Sequence, residues 1–116
     1  MRHITVTVQG AVFRATLADT EAARELVERL PLTLDMSELN GNEKYAYLDA
    51  PLPTEPTRPG TIHAGDIMLF GDDCLVLFYE TFPSSYSYTR IGALDDASGL
   101  ARAVGAGSVS VAWERA

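Results

Sequence analysis

Several residue types are scarce in this chain of 116 residues, and each scarcity excludes a class of protein. The chain has one cysteine, Cys74, so an internal disulfide cannot form and a metal cluster would need other ligand types. Its sole lysine is Lys44, and nine basic residues face sixteen acidic ones, for a net charge of -7. Because nucleic acids and anionic membranes are bound through clustered basic side chains, we expect neither as a partner.

Long hydrophobic runs are also missing. No run of about 18 apolar residues is present to span a bilayer. The first five residues mix polar with apolar side chains and lack the continuous apolar core of a signal peptide. We therefore predict a cytoplasmic location. The length and the apolar share of 47% predict a single domain over residues 1–116.

Alternation of apolar and polar residues predicts many short strands. Ile4, Val6 and Val8 share one face, Gln9-Gly10 supplies a turn, and residues 12–17 return as the second strand of a hairpin. Residues 74–80 are predicted to form a strand whose residues 75–79 are apolar on both faces, which is typical of a central, covered strand. The other predicted strands are residues 32–36, 44–48, 67–70, 90–92 and 109–113.

Two helices interrupt this pattern. Asp19 or Thr20 can cap the first one, its apolar residues recur at spacings of three and four, and Pro31 ends it. A second, short helix through residue 104 is predicted to be capped by the segment 95–98. Residues 50–60 carry four prolines and are predicted to form a surface loop.

The sequence has many short predicted strands and two helices, and the two kinds of element do not alternate regularly as in a βαβ fold. This pattern predicts a mainly β fold, a closed barrel of mostly antiparallel strands. Along nearly the whole chain, the order of short motifs resembles small bacterial single-domain proteins of the cyclophilin-like family. The matching pieces are Leu30-Pro31, Leu32-Thr33-Leu34, Asn40-Gly41-Asn42-Glu43-Lys44, Gly65-Asp66, Phe78-Tyr79 and Ile91-Gly92.

The resemblance implies a cyclophilin-like barrel, and it brings one activity into consideration. Cyclophilins isomerise prolyl bonds with an arginine near the substrate carbonyl and an apolar pocket for the proline ring. No stretch of this sequence aligns with the Phe-His-Arg-type segment that is found in cyclophilins, because His3 and His63 lie in other sequence contexts. A divergent peptidyl-prolyl isomerase is therefore the alternative function, and its catalytic residues are unassigned.

Other chemistry has little support in the sequence. His63 and Asp66 are three residues apart, but the glycine between them favours an exposed turn over a metal site. The pairs Asp72-Asp73 and Asp95-Asp96 fall where a turn and a helix cap favour short acceptor side chains. No glycine-rich phosphate loop is present. We predict neither a metal site nor a cofactor.

The strongest functional signal is the segment 82–90, rich in Ser and Tyr. If it is extended, Tyr86, Tyr88 and Arg90 project to one side, where Arg90 would stack on an aromatic ring. The alternative is a loop that packs over a barrel end. The leading prediction is a binding module for a small molecule or an extended peptide. Its ligand-binding candidates are Phe70, Phe78, Tyr79, Tyr86, Tyr88 and Arg90, together with Glu43 and Lys44 beside the turn at residues 40–42.

The strand at residues 74–80 also leads to a prediction about the core. Alternation places Cys74, Val76 and Phe78 on one face, and we expect them to share a dry core with Trp113. Cys74 should then be a buried, reduced thiol that reacts slowly with thiol reagents.

Overall fold

A closed barrel of eight strands forms the body of the computed structural model, which describes residues 2–116. The barrel order is β1-β10-β3-β4-β7-β6-β9-β2, every neighbouring pair is antiparallel, and β5 and β8 form a separate two-stranded sheet. The predicted fold class is confirmed. In chain order the elements are β1 (His3–Val8), β2 (Ala11–Leu17), α1 (Glu21–Glu28), β3 (Leu32–Leu39), β4 (Glu43–Tyr47), β5 (Thr61–Ile62), β6 (Asp66–Phe70), β7 (Cys74–Phe78), β8 (Phe82–Pro83), β9 (Thr89–Leu94), α2 (Leu100–Val104) and β10 (Val109–Arg115).

The first helix begins where the sequence predicts. The Thr20 hydroxyl accepts a hydrogen bond from the Ala23 backbone nitrogen at 3.1 Å and caps α1. The apolar stripe of α1 is buried and packs against β9. None of the helices within residues 2–116 is long and apolar enough to cross a membrane.

The cap predicted for the second helix is wrong. Gly99, at φ 82°, precedes α2, and no side chain caps the helix. The Asp96 carboxylate instead accepts a hydrogen bond from the Ser98 backbone nitrogen at 2.9 Å, within a turn ahead of the helix. Asp96 therefore stabilises the approach to the helix, and the helix itself begins at Leu100.

Two hydrophobic cores lie on opposite faces of β7. Leu75 and Leu77 point into the barrel and belong to its interior core, together with Trp113. Cys74, Val76 and Phe78 point outward into a second, smaller core with Met68 and Tyr88. The predicted grouping of Trp113 with Cys74 is wrong, because β10 and β7 are separated by two strands and Trp113 points inward while Cys74 points outward.

Candidate ligand-binding cleft

The outer face of three adjacent barrel strands forms the floor of a cleft. In the strand register, Tyr45 of β4 lies opposite Val76 of β7, and Tyr47 lies opposite Cys74. Cys74 in turn pairs with Phe70 of β6. Because alternate residues of a strand share a face, these side chains form two rows across the outside of the barrel.

Residues 82–88 cross above this face and enclose a cleft of about 490 Å³. Among residues 2–116, five large hydrophobic side chains are exposed. Four of the five line this cleft: Leu39, Tyr47, Phe70 and Tyr86. Large apolar side chains concentrated at one place on a surface are typical of a binding site.

Edge-on contacts between aromatic rings hold the walls of the cleft. The rings of Tyr45 and Tyr47 are 6.0 Å apart at 81°, and those of Phe70 and Tyr86 are 6.1 Å apart at 85°. Tyr88 packs against Phe70 at 5.7 Å. Tyr88 is only 5% exposed whereas Tyr86 is 64% exposed, so Tyr88 supports the wall and Tyr86 presents its ring to solvent.

One end of the cleft is polar. Glu43, at the start of β4, lines it together with Asn40 and Asn42. Burial, and then the neighbouring charge of Glu38, raises the pKa of the Glu43 carboxyl to about 7. The side-chain oxygen of Asn42 is buried and has no hydrogen-bond partner in the protein. The Glu43 carboxylate is therefore the charged acceptor at this end of the cleft.

The raised pKa of Glu43 predicts a pH-dependent effect of Glu43→Gln on stability. Between its ordinary pKa of 4.5 and the folded-state pKa of about 7, the folded state holds a proton that the unfolded state has lost, so stability falls as pH rises through this window. Glutamine removes that cost. We expect the variant to be more stable than the wild type by about 1–2 kcal/mol at pH 8, a figure lowered for the partial exposure of the side chain.

Thermal unfolding at pH 8 and at pH 4.5 tests this prediction. The gain in Tm should be present at pH 8 and absent at pH 4.5, where Glu43 is protonated in the folded state. Glu114→Gln, on the exposed part of β10, is the control and should leave Tm unchanged at both values. An equal gain at both pH values would show that the carboxyl is not the cause.

Lys44, next to Glu43, lies on the opposite face of β4 and is fully buried. Its ammonium donates hydrogen bonds to the carbonyl oxygens of Gly105, at 2.9 Å, and Gly107, at 2.5 Å. It also lies 2.9 Å from the Glu38 carboxylate and 5.5 Å from the centre of the Tyr79 ring. Lys44 therefore joins β4 to the loop before β10 and is not available in the cleft.

Tyr79 and Glu38 complete this buried network. The Tyr79 hydroxyl donates a hydrogen bond to Glu38 at 2.7 Å. Burial, followed by this hydrogen bond, raises the pKa of Tyr79 to about 12. Burial alone would raise the pKa of Glu38, but hydrogen bonds from Tyr79, Lys44 and the Gly41 backbone hold it below its usual value. Glu38 is therefore an ionised partner for Lys44.

The structure separates the residues predicted to form the site. Phe70, Tyr86, Tyr88 and Glu43 line the cleft. Phe78 is fully buried under Phe82 and Tyr88. Lys44 and Tyr79 belong to the network around Glu38 and do not line the cleft. Arg90 is exposed on β9 and lies outside the cleft. Within residues 2–116, the side-chain cation that lies over an aromatic ring is Lys44. The structure therefore does not place Arg90 on an aromatic ring.

Sequence reasoning missed several residues of the cleft. Tyr45 and Tyr47 carried a usable signal, because two tyrosines two residues apart share one face of a strand. The polar residues Asn40 and Asn42 looked like turn residues only. Leu39 was missed, and Cys74 and Val76 were assigned to the core alone. The other lining residues, which belong to the segment 82–90 singled out from the sequence but were not named as candidates, are Phe82, Pro83, Ser84 and Ser85.

Cys74 belongs both to the outer core and to the cleft floor. It is 7% exposed, and burial, with nearby Glu43 and Asp73, raises the pKa of its thiol to about 11. At neutral pH nearly all of it is the unreactive thiol. Slow labelling by thiol reagents stays a prediction, and because Cys74 is the only cysteine, the labelling rate reports on this one position.

The turn at His63 and Asp66 has a structural role. The Asp66 carboxylate accepts a hydrogen bond from the His63 backbone nitrogen at 2.9 Å, while the His63 ring nitrogen is 4.0 Å away. Within residues 2–116, no three His, Cys, Asp or Glu side chains come close enough together to hold a metal ion.

Comparison with known proteins agrees with this architecture. A family model described as "Cyclophilin-like family" matches residues 6–114. The chain belongs to this family. The structure of this cyclophilin-like chain is similar to the solution structure of the hypothetical protein AF2241 from Archaeoglobus fulgidus, with a TM-score of 0.64 and 20% identity over 99% of this chain and 95% of that one. At this identity the likeness concerns the fold alone. A search of curated proteins gave no significant match.

Proposed function

We propose that this cyclophilin-like protein is a binding module, and that it holds a small molecule in the cleft between the outer face of β4, β7 and β6 and residues 82–88. The observation that carries the proposal is the placement of four of the five exposed large hydrophobic side chains around this one cleft. A bacterial origin and a cytoplasmic location stay predictions from the sequence.

The size and composition of the cleft support a small ligand. A volume of about 490 Å³ falls within the usual range for ligand pockets, which combine apolar walls with a few polar groups. Here aromatic rings supply the walls and Glu43, Asn40 and Asn42 supply the polar groups. Tyr88 and Phe78 are buried behind the walls, so the floor is formed before any ligand arrives.

A fragment screen with two matched variants tests the proposal. Binding is followed by protection of Cys74 from a thiol reagent and by NMR shifts. Tyr47→Ala and Tyr86→Ala remove rings that are 67% and 64% exposed, so they should weaken hits by about ten-fold or more while changing Tm little. Val12→Ala is the control, because Val12 is 67% exposed and lies outside the cleft. Hits that shift other surfaces, or that respond equally to Val12→Ala, would contradict the proposal.

The divergent peptidyl-prolyl isomerase is the competing prediction, and a protease-coupled assay decides between the two. Because Arg90 does not line the cleft, its loss would not affect catalysis there. A rate above the thermal background that is lost in Phe70→Ala would favour an isomerase acting in the cleft. A rate lost in Arg90→Ala would favour an isomerase site on β9. A rate equal to the background favours the binding module.

A further inference from the structure

The charge inside the cleft has one sign. Among residues 2–116, Glu43 is the one Asp, Glu, Lys, Arg or His side chain that lines it. Lys44, the adjacent cation, is held on the other face of β4 by Glu38 and two carbonyl oxygens. Burial also raises the pKa of Cys74 and Tyr88, so neither adds a charge near neutral pH. An anionic ligand would meet an uncompensated carboxylate, whereas a cation would neutralise it.

The cleft also has two chemically different ends. Glu43 begins β4 and Tyr47 ends it, so their backbones are separated by about 13 Å along the strand. At the Glu43 end lies Asn42, whose side-chain oxygen is a buried acceptor without a partner. At the Tyr47 end lies Phe70, because Tyr47 and Phe70 both pair with Cys74, from opposite sides of β7. The exposed ring of Tyr86 packs against Phe70. Acceptors are therefore concentrated at one end and aromatic surface at the other.

We propose that the ligand is an elongated organic monocation, with an ammonium group at Glu43 and an apolar or aromatic body between Tyr47, Phe70 and Tyr86. The ammonium donates to the Glu43 carboxylate, the one charged acceptor among the described residues that line the cleft. The ring of Tyr45, two residues from Glu43 on the same face of β4, adds cation–π attraction for the ammonium. This inference rests on the proposed function and deepens it, because it names the class of ligand.

Three probes that share one body and differ in one group test the inference. They are 4-phenylbutylamine, 4-phenylbutan-1-ol and 4-phenylbutanoic acid, titrated by calorimetry at pH 8, where Glu43 is mainly ionised. We expect the amine to bind at least about ten-fold more tightly than the other two, since a hydrogen bond to a charged partner stabilises more than a neutral one. Protection of Cys74 from a thiol reagent, read together with NMR shifts of the lining residues, shows whether each probe occupies the cleft.

Glu43→Gln should raise the Kd of the amine by about ten-fold or more and leave that of the alcohol unchanged, because only the amine uses the charge. Glu114→Gln, on the exposed surface of β10, is the matched control and should change neither value. Since Glu43→Gln removes a half-buried charge, we expect this variant to fold, and its Tm is recorded beside each titration.

Each other result overturns the inference in a distinguishable way. If the alcohol or the acid protects Cys74 and binds as tightly as the amine, the ligand class is wrong and the proposed function stands. The same holds if a neutral proline-containing peptide binds more tightly than the amine. If amine binding is insensitive to Glu43→Gln, the assigned contact is wrong. If no probe protects Cys74, the monocation is rejected, and the proposed function is judged by its own fragment screen.

Discussion

Lys44→Met should lower the stability of this protein by about 3 kcal/mol and its Tm by about 10 °C or more. Methionine keeps the length and most of the packing of the side chain but removes its charge and its donors. Two backbone carbonyls lose their hydrogen bonds, and the largely buried Glu38 carboxylate loses its cation. Removing one partner of a buried pair costs more than the pair itself contributes, because the other group stays buried without compensation.

Thermal and urea unfolding measure this effect, and two further variants identify its cause. Arg58→Met removes a basic side chain from the exposed proline-rich loop and should leave Tm nearly unchanged. Adding Glu38→Gln to Lys44→Met removes the uncompensated charge and should recover part of the lost stability. A fall in Tm of only about 1–2 °C in Lys44→Met would show that the ammonium is dispensable.

Gly92→Ala should lower the stability of the protein at least as much as Lys44→Met does. Gly92 lies in β9 and pairs with Leu17 of β2 and Ile67 of β6. A Cβ atom here would collide with the backbone carbonyl oxygen of Thr16 and would lie 3.1 Å from the Leu17 Cα. Backbone atoms in the middle of a paired strand cannot move aside as a flexible side chain can. We expect a loss of about 3 kcal/mol or more, or failure to fold.

The matched control is Gly107→Ala, since a Cβ atom there would meet nothing within 4 Å and no positive φ is required. It should stay within about 0.5 kcal/mol of the wild type. The denaturant midpoint and the yield of folded protein are measured for both variants. If Gly92→Ala unfolds at the same midpoint as Gly107→Ala, then β2 and β9 are not as closely packed as the structure has them.

The fold was largely predictable because its signals are local. Alternation in residues 4–8, the Thr20 cap and the apolar spacing of α1 depend on neighbours within a few positions, and all three are confirmed. The grouping of Trp113 with Cys74 failed because it depends on which strands face each other across the barrel. Local periodicity tells which residues share a face of one strand, and it does not tell what lies opposite.

The cleft was only partly predictable for a similar reason. Phe70 and Tyr86 lie far apart in sequence and meet because of the pairing of β6 and the course of residues 82–88. Lys44 was predicted to be a ligand-binding candidate beside the turn at residues 40–42, and its burial was not expected because lysine is rarely buried. Glu38 lies opposite Lys44 in the β3–β4 hairpin, whereas the carbonyl groups of residues 105 and 107 reach Lys44 only in the folded barrel. Charge and residue type along the chain could not reveal that neighbourhood.

The double burial of β7 has a consequence for how selectivity can change. Leu75 and Leu77 fill the barrel while Cys74, Val76 and Phe78 support the cleft, so β7 cannot open without exposing both cores at once. We therefore expect the amide hydrogens of β7 to exchange only when the whole domain unfolds. The floor of the cleft is therefore a rigid template, and adaptation to a new ligand would have to come from its rim, where Tyr47 and Tyr86 can be replaced without disturbing either core.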